Sequence, residues 1–269
     1  MTRLLSLCLL LLSASVARAS AAPEVSLDVR GADGERIPTR VLEPEGAAKN
    51  PPVAVLLHGL TRRKEDWLSE EGPTHGGVLK DALLRAGYRV YLLDARRHGE
   101  RSTPDAKPGA LAKLAHKGEP AGYIAMIADT VRDAHAVLNA VLEKRKPPRV
   151  LVAGYSMGGQ VGILLAAREP RVTHLVTMVP PHIDPSMEEI APAKHVAKVQ
   201  QEWLLLTANQ DDFSPVADSR ALFEASPSRF KTHKTFESGH VLPREYLDEV
   251  RRWLKEERKA PARAAESKR

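Results

Sequence analysis

A chain of 269 residues, 43% of them apolar, has the composition of an ordinary globular protein and enough material for one large core, so a single α/β domain is the expected organisation. The net charge of +6 sits mostly at the two ends: Arg3 and Arg18 lie near the start, and the tail from Lys255 carries six Lys or Arg against three Glu. The body between is close to neutral, which argues against a nucleic-acid groove, because phosphate binding needs clustered positive charge on a folded face.

The first residues, "MTRLLSLCLLLLSASVARASAA", carry an early arginine, an apolar run from Leu4 to about Val16, and small residues at Ala17, Ala19 and Ala21. This is the form of a secretory signal peptide over 1–21, and it predicts export to the periplasm or the extracellular space. The run is short for a membrane span and contains serines, so no stable membrane anchor is expected after cleavage. Cys8 is the only cysteine. Leu7 stands directly before it where a lipidation site needs small residues, so the mature chain is expected to have neither a lipid anchor nor thiol chemistry.

Further along, "EVSLDVRG" and "RIPTRVLEP" read as two strands joined at "GADG". The pattern then changes to short continuous apolar runs: "VAVLLHG" (53–59), "RVYLLDA" (89–95), "RVLVAG" (149–154), "HLVTMV" (174–179), "EWLLLTA" (202–208) and "KTFES" (234–238). Helical stretches lie between them, among them "GGVLKDALLRAG", "AMIADTVRDAHAVLNAVLEKR" and "GGQVGILLAARE". Strands apolar on both faces, alternating with helices, predict a mostly parallel sheet covered on both sides. The segment 180–201 is too short for a separate lid domain. A polar stretch from Arg96 to about Tyr123 is the one sizeable insertion, placed to overhang a site. The tail 257–269 is read as a solvated, basic end.

One strand end holds the chemistry. "RVLVAGYSMGG" runs from a buried strand through Ser156, boxed by Gly154 and Gly158, directly into a helix. A serine hydroxyl is a poor nucleophile and needs exposure, a base and donors for a developing oxyanion; a sharp strand-to-helix turn supplies the exposure and a helix N-terminus supplies donors.

This G-x-S-x-G between strand and helix resembles the nucleophile elbow of the α/β-hydrolase superfamily, and the resemblance covers about residues 24–256. It implies an α/β-hydrolase domain over 22–256, with a mostly parallel eight-stranded sheet, helices on both faces and no large cap domain. His58-Gly59 closes the third strand, where the family places one oxyanion donor, by match the NH of Leu60; the other falls on the NH of Met157. His58 is expected to be structural. "DARRHGERS" is similar to the family's D-x-R-x-H-G-x-x-S turn, in which Asp94, Arg96 and His98 are expected to shape the turn and not to react. A metal site on Asp94 and His98 is not expected, since a third ligand at suitable spacing is missing.

The base expected after the eighth strand is His240, in "ESGH". The acid expected after the seventh is Asp211 in "TANQDDFSP", aligned through Ala208 and Pro215; Asp212 is one step off, and Asp184, after strand six, is the position used in some members. The order Ser156, Asp211, His240 is that of the α/β hydrolases. The resemblance implies a serine hydrolase that cleaves small-molecule carboxylic esters without a cofactor, nearest to the compact dienelactone-hydrolase and acetyl-ester-hydrolase branch, with Ser156 in place of the cysteine of true dienelactone hydrolases. Short acyl chains are favoured over a lipase substrate, because only 4% of the residues are aromatic. A thioesterase or a non-catalytic binding protein on the same fold are the alternatives.

Overall fold

The computed structural model describes residues 24–259. The signal-peptide reading of 1–21 lies outside the described residues, as does the tail from 260 onward. Eight strands form one sheet in the order β1-β2-β4-β3-β5-β6-β7-β8. They are β1 Glu24–Leu27, β2 Thr39–Leu42, β3 Val53–Leu57, β4 Arg89–Leu93, β5 Val150–Tyr155, β6 His174–Met178, β7 Glu202–Ala208 and β8 Lys231–Phe236. β1 and β2 are antiparallel, β2 meets β4 antiparallel, and every pairing from β4 across to β8 is parallel. The parallel strands therefore end at one edge, and that edge carries the site.

The apolar runs are continuous because the central strands are covered twice. Along β3, Val53, Val55 and Leu57 join one core, while Ala54 and Leu56 join the other. The first core is closed by helices α3 (Ala121–Glu143) and α4 (Met157–Ala166). The second is closed by α1 (Gly76–Arg85) and α6 (Tyr246–Lys259). On α6, Tyr246, Leu247, Val250, Trp253 and Leu254 recur at helical spacing as one buried stripe, which fixes the face it turns to the sheet. The helix continues to Lys259, past the boundary expected at 256.

Two helices differ from the sequence expectation. The insertion 96–123 is not all loop: α2, Pro108–His116, begins on a proline, which suits a first helical turn, and its Leu111 packs against the first core. A methyl group placed on Gly109 would stand 3.5 Å from Thr61 Cγ2, so this insertion borders the loop that follows β3. The other helix, α5, Val216–Ala225, follows the β7 loop. Segment 180–201 holds two short 3-10 turns and no separate lid. Among the described residues, no helix is long and apolar enough to cross a membrane.

Candidate active site

Ser156 sits between β5 and α4 with φ 53° and ψ −119°, a conformation that L residues adopt only where the surroundings impose it. Its N–H donates to Met178 O at 2.8 Å, which ties the turn to the next strand. The flanking glycines answer to space. A methyl group on Gly154 would stand 2.0 Å from Gly158 O, and one on Gly158 would stand 2.0 Å from Leu57 O. The elbow can therefore be this tight only with glycine at both positions.

The side chains predicted to act together meet here. His240 Nε2 lies 2.8 Å from Ser156 Oγ, and His240 Nδ1 lies 2.8 Å from Asp211 Oδ2. Asp211 Oδ1 accepts the N–H groups of Phe213 at 2.9 Å and Ser214 at 3.2 Å, so both carboxylate oxygens are occupied and the side chain is buried. Of the other two acids, Asp212 is exposed. Asp184 is exposed and accepts the N–H of Ser186.

The two expected backbone donors are Leu60, three residues after β3, and Met157, which follows the serine directly. Met157 is the first residue of α4, so its N–H has no intrahelical acceptor. The peptide joining Gly59 to Leu60 is oriented by its carbonyl: Gly59 O accepts Arg62 N–H at 3.1 Å and lies 2.9 Å from His58 Nδ1. The His58 tautomer follows, because Ala95 N–H donates to Nε2 at 3.1 Å and Nδ1 must then carry the hydrogen. The structure contains no cis peptide among the described residues, so Leu60 N–H points opposite to that carbonyl. A methyl group on Gly59 would stand 3.5 Å from Ser156 Cβ, which shows how closely this peptide approaches the serine.

The turn after β4 is held by charge. Asp94, fully buried, accepts Lys64 N–H at 2.9 Å, Lys64 Nζ at 2.8 Å and Glu100 N–H at 3.1 Å. Arg96 pairs with Asp133 through Nε at 2.7 Å and Nη2 at 3.0 Å. These residues are spent on the turn, as their sequence positions suggested.

Sequence reading did not single out Tyr155. Its hydroxyl donates to His240 O at 3.0 Å and accepts Leu242 N–H at 2.8 Å, so the residue beside the serine anchors the loop carrying the histidine 85 positions on. Burial pushes its phenol up to about 12, which keeps it neutral and able to do both. Phe213 and Val241 were likewise unforeseen. Both are more than half exposed, and the Phe213 ring stands 5.2 Å from the His240 ring, giving the site an apolar lip.

Burial holds His98 down to about 4, with the nearby His58 adding to the effect, and burial lowers His58 as well. An imidazole depressed in the folded state binds its proton more weakly there than in the unfolded chain. Its contribution to stability is complete above about pH 6.5 and is lost as pH falls from there to about 4. For His98 the full loss is about 3 kcal/mol. Urea midpoints measured from pH 7.5 to 4.5 should therefore fall steadily, and a flat profile would show that these rings are not held neutral.

A serine on a strand-to-helix elbow, hydrogen-bonded to a histidine and through it to an aspartate, at the C-terminal edge of a mostly parallel sheet, is the arrangement of the α/β-hydrolase class. Residues 54–267 match the Alpha/beta hydrolase family, and the chain belongs to it. A stretch of 128 residues is 28% identical to the sn-1-specific diacylglycerol lipase ABHD11 of Xenopus tropicalis, covering 48% of this chain and 30% of that one. A stretch of 96 residues is 40% identical to the putative carbamate hydrolase RutD of Variovorax paradoxus, covering 35% of this chain and 29% of that one. The matches span about a third of these relatives' lengths. In fold, the chain is similar to the Pyrococcus furiosus esterase Pf2001, with TM-score 0.66 and 16% identity over 87% of this chain and 91% of the other. It is similar also to Est1E from Butyrivibrio proteoclasticus with ferulic acid bound, with TM-score 0.63 and 16% identity over 87% and 97%. The chain thus belongs to the α/β-hydrolase family, resembles two esterases in fold and matches a lipase over part of its length.

Proposed function

We propose that this hydrolase is an exported serine esterase that cleaves small carboxylic esters through an acyl-enzyme. The observation that carries the reading is the unbroken chain Asp211–His240–Ser156, with both links at 2.8 Å, on the strained elbow. At rest, Nδ1–H of His240 donates to Asp211, and Ser156 Oγ–H donates to Nε2. As Oγ attacks the ester carbonyl carbon, Nε2 takes the hydroxyl proton and the carbonyl electron pair moves onto oxygen, where the N–H groups of Leu60 and Met157 receive it. Collapse of this intermediate breaks the bond to the alcohol, which leaves with the proton from Nε2. Water then attacks the acyl group, gives its proton to Nε2, and the acid departs with Ser156 restored. Asp211 accepts the Nδ1 hydrogen throughout and holds the ring in the tautomer that can accept a proton.

Among branches of the family, the compact acetyl-ester hydrolases fit best, since 180–201 forms no lid and the apolar lip at Phe213 and Val241 is small. Hydrolysis of p-nitrophenyl acetate and palmitate tests the chain length: acetate should be the faster substrate, with no rate jump at an oil–water interface. Faster palmitate turnover with such a jump would move the reading to a lipase, the activity named for one of the partial relatives. Export rests on the apolar run and small residues of the first 21 positions. N-terminal sequencing of exported protein should begin near Ser20 or Ala22; soluble cytoplasmic protein that retains Met1 contradicts this part.

A further inference from the structure

The two peptides that flank Leu60 are held by different histidines. The first, Gly59–Leu60, is gripped at its carbonyl as described above. The second, Leu60–Thr61, makes one hydrogen bond among the described residues: Thr61 N–H donates to His98 Nε2 at 3.2 Å. The acceptor role of Nε2 is fixed from the other side of the ring. His98 Nδ1 lies 2.6 Å from Arg96 O, a carbonyl that can only accept, so Nδ1 carries the hydrogen and Nε2 has a free lone pair. The ring is buried, and its centroid stands 5.0 Å from that of His58.

The bond restrains a residue held in an unfavourable conformation. Thr61 has φ 63°, in the left-handed region that a β-branched side chain disfavours. The Arg62 N–H to Gly59 O bond closes the turn around Leu60 and Thr61 but survives a flip of its central peptide, so the bond to His98 is what opposes rotation of that peptide toward a relaxed angle. Such rotation would turn Leu60, whose own N–H belongs to the neighbouring peptide.

We propose that His98 is a positioning residue for catalysis: by accepting Thr61 N–H it locks the left-handed turn at Thr61, and so keeps Leu60 N–H aimed at the substrate oxygen that becomes negative. The inference rests on the reading of Leu60 as an oxyanion donor and adds a residue that touches neither substrate nor triad. Asp94 holds Lys64 further along the same loop and Arg96 ties the turn to α3, while His98 reaches the peptide next to Leu60.

The test compares wild type, His98→Phe and His98→Gln with p-nitrophenyl acetate. Phenylalanine keeps a ring but has no acceptor; glutamine can place Oε1 where Nε2 stood. His98→Phe should lower kcat about tenfold or more, short of the roughly 10² to 10³ that removal of an oxyanion donor costs. KM should change by less than about threefold, because the lost interaction serves the transition state. His98→Gln should recover most of kcat. The nitrogen-15 spectrum of the wild-type ring, which needs no variant to fold, should show a hydrogen on Nδ1 and none on Nε2 near neutral pH. His98→Phe at wild-type kcat, glutamine as slow as phenylalanine, or a hydrogen on Nε2 would each overturn the proposal. A wild type without ester turnover would bring down the esterase reading together with this one, whereas an active wild type with an indifferent His98→Phe brings down this one alone.

Discussion

Replacing Ser156 by alanine should lower p-nitrophenyl acetate turnover by about 10⁶, the scale on which serine-hydrolase nucleophiles are lost, while leaving the melting temperature near that of the wild type. Among the described residues the hydroxyl bonds to His240 alone, so its removal should delete the attacking atom and little else. The elbow persists because its tightness is set by Gly154 and Gly158. His240→Ala should have an effect of the same order, since the base and the nucleophile act as a unit. Substantial turnover by either variant, in preparations free of wild-type enzyme, would mean that the chemistry lies elsewhere.

The second large effect concerns Asp211. Changing it to asparagine should cost about 10⁴ in kcat near neutral pH, as the same change does in the serine-protease triad. The geometry explains why. Oδ1 accepts two backbone N–H groups, so an asparagine will keep its carbonyl oxygen there and turn its amide nitrogen toward His240. A donor facing Nδ1 forces the ring hydrogen onto Nε2, which then has no lone pair for the serine proton. Asp212→Asn and Asp184→Asn should be mild, because the first side chain is exposed and the second is engaged with Ser186. The three variants are compared at equal folded concentration; a loss confined to Asp212 or Asp184 would move the acid there.

Much of this was legible because the physics is local. A strand buried on both faces must be continuously apolar, and β3 to β7 are, so their ends fell within a residue or two of the expected positions. The elbow needs glycine where a methyl group would meet backbone at 2.0 Å, and such a requirement is visible as a motif. What escaped had no such local signature. β8 begins at Lys231, three residues before the apolar run that marked it, because an edge strand alternates and its outer residues can be polar. α5 buries only Ser219 among its residues and so carries no apolar stripe to find. α2 has no fully buried residue, and its proline and glycine read as loop, although a proline at the first helical turn favours the helix.

At the site, the bonds that cross from one loop to another were equally hidden. Tyr155 occupies a position that the elbow motif leaves open, and nothing in the string shows that its hydroxyl bridges His240 and Leu242. His98 was read correctly as part of the β4 turn, but its bond to Thr61 exists only because β3 and β4 end side by side. Sequence spacing shows which strand ends carry reactive groups. The second layer that orients them is set by how neighbouring loops fold over one another.

The central claim, that Ser156 is an activated nucleophile, is tested most directly by reacting the folded protein with a fluorophosphonate and locating the adduct by peptide mass spectrometry. One adduct per chain is expected, on the peptide containing Ser156, absent from Ser156→Ala and strongly slowed in His240→Ala. No adduct on folded protein, or an adduct on a different residue, would contradict it.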